Sequence, residues 1–110
     1  MTAGTGANRR PLARAQALAD AGKLTQAYLV FREALAPSQS RANPRDLAAA
    51  LVGLGNIEFL RGDIRRGRAY AREALAHDPY SQPARALRAD VCDKDGQTEA
   101  AAVWRGEPTS

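Results

Sequence analysis

The sequence predicts an all-α fold assembled from helix–turn–helix units, and three observations carry that prediction. First, the 110 residues are 45% apolar, yet alanine supplies 24 of them and Phe, Tyr and Trp together only six. A core with so few large rings must close by helix-on-helix contact at small side chains, and Ala with scattered Arg and Leu favours helix over strand. Second, the chain repeats itself. Gly22-Lys23-Leu24-x-x-Ala27 leads to Arg32-Glu33-Ala34-Leu35-Ala36, and forty residues on Gly62-Asp63-Ile64-x-x-Gly67 leads to Arg72-Glu73-Ala74-Leu75-Ala76. Third, apolar residues inside these copies recur at helical spacing.

The elements follow in order. Helical segments are expected at about 10–21, 45–61 and 82–95, each running up to a glycine that suits the tight turn between paired helices. After the first turn, Leu24, Ala27, Tyr28, Phe31, Ala34 and Leu35 fall on one helical face. The equivalent face in the second copy is Ile64, Gly67, Ala71, Ala74 and Leu75. A weaker third copy opens at Gly96-Gln97-Thr98-x-x-Ala101, 34 residues after Gly62. The longer first interval fits an enlarged polar loop at 38–44. Pro44 and Pro83 sit near helix starts, where a missing N–H costs little, and Pro79 closes the helix before it. Three units result, at about 10–37, 45–79 and 82–105, between flexible ends at 1–9 and 106–110.

These residues resemble the tetratricopeptide repeat family, whose 34-residue unit reads W-x₂-L-G-x₂-Y, then A-x₃-F, then a closing Pro. Leu51-x-x-Leu54-Gly55 stands where W-x₂-L-G would. Gly62-Asp63 matches the inter-helix turn, Ala74-Leu75 the common Ala-Leu pair, Asp78-Pro79 the closing pair, and Ala27 with Phe31 the A-x₃-F of the first unit. Glu58 departs from the family at the usual Tyr place and Gly67 at the usual Ala. Gly106, Glu107 and Pro108 replace the expected Arg-Glu-Ala, so the last helix stops early. The resemblance implies a right-handed α-solenoid of about two and a half to three repeats over residues 10–105. It also implies a protein–protein interaction module: an adaptor, scaffold, or assembly or chaperone component.

Several chemistries are not expected. Cys92, the single cysteine, excludes an internal disulfide framework and a Cys-based zinc site. His77, the single histidine, has no identified nucleophile partner and reads better as a residue favourable to a helix C-terminus. Cys92 itself is either a nucleophile or, more commonly, a small buried hydrophobe. Asp93-Lys94-Asp95-Gly96 resembles part of a calcium loop, but Val91 and Ala102 stand where the first and last carboxylates belong. Gly53-x-Gly55 lacks the remainder of a phosphate-binding motif and lies mid-helix, where glycine permits close packing. The expectation is a binding protein rather than an enzyme, with no cofactor and no metal. No apolar run approaches the length of a membrane span, and Met1 to Arg10 lacks the apolar stretch of a secretory signal. The default location is cytoplasmic.

The candidate site rests on a second apolar face. In the helix around 47–60, Leu47, Leu51, Leu54 and Gly55 define the packing face, while Val52 and Phe59 lie together roughly 90° away and Asn56 about 50° further round. One reading is that a central helix is buried nearly all round. The other follows from the resemblance, in which this face of each first helix lines a concave, peptide-receiving groove. The groove would comprise Leu12, Gln16 and Ala19, then Val52, Asn56 and Phe59, then Ala86, Asp90 and Asp93. Asn56 and Gln16 offer donors and acceptors to a partner's backbone. The carboxylate clamp that some repeats offer to heat-shock chaperones is absent, since Leu12, Gln16, Gly53, Pro83 and Leu87 occupy its places. Asp90 and Asp93 would favour a basic or neutral segment.

The net charge is +4, unevenly spread. Arg61, Arg65, Arg66, Arg68 and Arg72 form a basic face that is either a solvated outer surface or a surface for nucleic acid, acidic peptide or anionic lipid. No spaced aromatics accompany these arginines to stack bases. A last alternative is a self-assembling structural repeat protein, joined through an exposed C-terminal face near Val103 and Trp104.

Overall fold

The computed structural model describes residues 9–35 and 43–107. Residues 1–8 of the expected flexible N-terminus, most of the 38–44 loop and most of the flexible C-terminus lie outside the described residues, while Arg9 already belongs to the first helix. Six helices make up the described chain: α1 (Arg9–Asp20), α2 (Leu24–Ala34), α3 (Pro44–Leu60), α4 (Ile64–His77), α5 (Gln82–Lys94) and α6 (Thr98–Arg105). No strand occurs among the described residues, and the first helices of the expected units fall within one or two residues of their expected bounds.

The caps explain most of these limits. Asn43 accepts the Asp46 amide at 2.9 Å and Ser81 the Ala84 amide at 3.2 Å, with Pro44 and Pro83 in the opening positions. Asp63 accepts the Arg66 amide at 3.0 Å. Asp78, before Pro79, is extended (φ −140°, ψ 91°) and ends α4.

The turns inside the three hairpins share one geometry. Gly22, Gly62 and Gly96 have φ of 80°, 89° and 80°. Each glycine amide donates to the carbonyl three residues back, and the following amide to the carbonyl five back, at 2.8–3.0 Å. This Schellman closure needs the left-handed region that glycine enters freely. Gly106, φ 76°, closes α6 in the same way, so the last helix ends at Arg105, early as expected.

Packing follows chain order. α1 packs on α2, α3 on α4 and α5 on α6; α2 meets α3, α4 meets α5, and the first helices α1, α3 and α5 meet in turn. The molecule measures 53 × 26 × 20 Å. Its centre is α3, where Ala48, every residue from Ala50 to Gly55, Ile57 and Glu58 are buried. The glycines make this possible. A Cβ on Gly53 would stand 2.3 Å from the Phe31 ring, and one on Gly55 2.5 Å from Leu87 Cδ2. Four buried clusters result, running from α1–α2–α3 at one end to the Ala89, Cys92 and Ala101 contact of α5 and α6 at the other.

Candidate binding groove

Within the buried stretch of α3 only Ala49 and Asn56 are exposed. These two lie on one stripe with Gly53 and Leu60, at i, i+4, i+7 and i+11. Asn56 and Leu60, rather than Val52, mark the open side of the helix, while Gly53 on the same stripe is covered by the Phe31 ring. Val52 does not line a groove: it is 5% exposed and packs with Leu51, Ala74 and Ala84. Phe59 points the same way, against Ala71, Leu87 and Val91, and is only partly buried. Both residues are apolar because α5 packs there. Burial nearly all round is therefore the correct reading of Val52, and half of the explanation for Phe59.

Between α1, α3 and α5 the open stripe borders a cavity of about 350 Å³. Of the nine expected groove residues, Gln16, Ala19, Asn56, Phe59 and Asp90 line it. Leu12 instead packs partly buried against the first core cluster. Ala86 and Asp93 are exposed and do not line the cavity. The floor is completed by Leu24, Phe31, Gly53 and Ile57, and the rim by Asp20 and Leu60. Leu60 is 68% exposed, which adds an accessible apolar side chain to the rim of the apolar floor. Gln16 Nε2 donates to Asp20 Oδ1 at 3.0 Å, whereas the Asn56 carboxamide bonds to no other described side chain.

The acidic residues of α5 have a partner that sequence reasoning did not find. One Arg105 nitrogen, from the last turn of α6, reaches Asp90 Oδ1 at 2.9 Å and Asp93 Oδ2 at 2.6 Å. These hydrogen bonds, with Asp93 foremost, hold the guanidinium above its ordinary pKa. Asp95, the other carboxylate of the calcium-loop-like segment, pairs with Arg68.

The basic face is largely spoken for by the protein's own carboxylates. Glu58, buried at 4% exposed, receives Arg66 at 3.5 Å and Arg61 at 4.0 Å. Arg66 also meets Asp63 at 3.6 Å, and Arg68 meets Asp95. Arg61 further lies 5.4 Å from the Tyr28 ring centroid. Glu58 thus anchors an ion network at the turn between α3 and α4. Beside it the Tyr28 and Tyr70 hydroxyls share a 2.8 Å hydrogen bond, on the wall of a 540 Å³ cavity completed by Arg32, Arg66, Ala69 and Glu73. Of that cavity's polar groups, the two hydroxyls pair with each other and Arg66 pairs with Glu58 and Asp63.

No protein-family model and no curated protein matches the chain.

At the C-terminal face Val103 is exposed, as expected, but Trp104 is not left open. The guanidinium carbons of Arg85 and Arg88 lie 5.7 and 5.2 Å from its ring centroid, within cation–π range. His77 is exposed in the last turn of α4, and Cys92 is buried. Among the described residues, no helix is long and apolar enough to cross a membrane.

Proposed function

We propose that the chain is a tetratricopeptide-like right-handed α-solenoid of three helical hairpins, acting as a protein–protein interaction module. Its groove holds an extended peptide or a partner's helix. The family reading is supported by three turns of identical geometry and by the in-order contacts of α1, α3 and α5. The binding reading is carried by one observation. Asn56, an exposed carboxamide with no partner among the described side chains, stands over an apolar floor beside the exposed Leu60 in a cavity of about 350 Å³. That combination supplies hydrophobic contact together with a donor and an acceptor for a backbone. An adaptor or assembly role suits such a surface.

The test is a peptide selected against the domain from a random display library, titrated into wild type and variants. Asn56→Ala and Leu60→Ala each weaken binding by roughly tenfold, the loss of about 1.4 kcal/mol typical of a contributing interface residue. Neither changes the circular dichroism melt, because both side chains are already exposed. Unchanged affinity in both variants would remove the groove from consideration. Phe59→Ala is a poorer probe, since that ring also packs on Leu87 and Val91.

The basic-face alternative has weaker support. Arg61, Arg66 and Arg68 are committed to Glu58, Asp63 and Asp95, which leaves Arg65 and Arg72 to meet a phosphate backbone.

A further inference from the structure

The chain carries a net charge of +4, yet its groove inverts that sign. No Arg, Lys or His is among the described residues lining the cavity, whereas Asp20 stands on its α1 side and Asp90 on its α5 side. Between them lie Phe31, Ile57 and Phe59, with Leu60 at the rim. One neighbouring cation, Arg105, enters from α6 and is already bound to Asp90 and Asp93.

We infer that the occupant of the groove is a linear segment of another protein carrying Lys or Arg beside a large apolar residue. The inference rests on the groove reading above and adds the chemistry of the partner. The apolar side chain lies on the Phe59–Leu60 surface. A basic side chain pairs with Asp20, whose second oxygen is free of the Gln16 bond. A further basic side chain takes over Asp90, displacing the Arg105 guanidinium that neutralises it in the free protein. Arg105 is thus an internal stand-in for the partner's cation, and it competes with it. An acidic or phosphorylated segment meets the Asp20 carboxylate and no lining cation, and is rejected at that charge.

The experiment is selection of a random linear peptide library on the intact chain, followed by fluorescence-anisotropy titration of the winners. The inference expects enrichment of Lys or Arg next to Leu, Ile, Phe or Trp, and affinity that falls with added salt. Asp20→Asn weakens these peptides roughly threefold to tenfold, the range of a partly exposed charge pair. Asp20→Lys reverses the preference toward peptides in which the basic residue is replaced by Glu. Arg105→Gln, which frees Asp90, tightens binding to the basic peptides. Winners that are uncharged or acidic, yet lose affinity in Asn56→Ala, overturn the charge inference and leave the groove reading standing. Winners unaffected by Asn56→Ala and Leu60→Ala overturn the groove reading itself. A failure to select any groove-dependent peptide overturns both. Concentration-dependent dimerisation abolished by Asp20→Lys would make a second copy the occupant and also overturn the inference.

Discussion

Gly53 and Gly62 are indispensable for unrelated reasons, and single substitutions separate them. At Gly53 an added Cβ would meet three atoms of the Phe31 ring within 2.6 Å. Gly53→Ala therefore overpacks the core and costs about 1–3 kcal/mol, and Phe31→Leu recovers part of that cost in the double variant. At Gly62 nothing lies within 4 Å of an added Cβ, but φ is +89°. Gly62→Ala costs about 1–2 kcal/mol from the left-handed backbone alone, and shrinking a neighbour recovers none of it. Urea titration of wild type, Gly53→Ala, Phe31→Leu, their double variant and the Gly62→Ala protein with and without Phe31→Leu checks both statements through the coupling energies. The contrast also marks what was legible in the sequence. The turn glycines repeat with Leu or Ile two residues on at the first two sites, and turn chemistry is local, so they could be read directly. The pairing of Phe31 with Gly53 depends on the register of α2 against α3, which no one-dimensional pattern carries.

At the scale of elements, α3 shows how far helical periodicity reaches. Its angles correctly grouped Val52 with Phe59, but they could not say whether that face met solvent or another helix. α5 decides it, through Ala84 for Val52 and through Leu87 and Val91 for Phe59. Asn56 needed no such information, because a carboxamide between apolar neighbours already marks the open side. The α2–α4 seam was illegible for a similar reason: Tyr28 and Tyr70 are 42 residues apart in sequence, yet their hydroxyls are 2.8 Å apart. That seam has a pH signature. Burial first, and then the hydrogen bond to Tyr28, raises the Tyr70 phenol from 10.0 to about 12. The folded chain holds this proton more tightly than the unfolded chain. The associated stability is therefore fully present below pH 10 and lost as pH rises through about 12. Urea midpoints measured across that interval should fall in wild type and fall less steeply in Tyr70→Phe. Equal slopes in the two proteins would place the titrating group elsewhere.

For the whole molecule, the order of contacts along the chain sets where it opens first. α3 packs against α1, α2, α4 and α5, whereas α6 packs chiefly on α5. With 8 residues, α6 is the shortest helix described, and it contributes only Ala101 to the buried core. An element held by one neighbour opens at a lower free energy than the centre. Cys92 reports on that opening directly. It is 3% exposed, and its cluster consists of Ala89 on its own helix and Ala100, Ala101 and Trp104 from α6. Detachment of α6 therefore uncovers the thiol while α3 and α4 remain packed. Trp104→Ala removes the largest side chain that α6 packs on this cluster, together with the two arginine stacks, and should raise the rate of Cys92 modification by an aromatic disulfide reagent. The expected increase is roughly tenfold or more, corresponding to at least about 1.4 kcal/mol of local stability. The thermal midpoint followed at 222 nm should move little, because the central helices lose nothing. If Cys92 instead reacts at the global unfolding rate in both proteins, α6 is part of the cooperative core, and the end of the molecule is as firmly held as its middle.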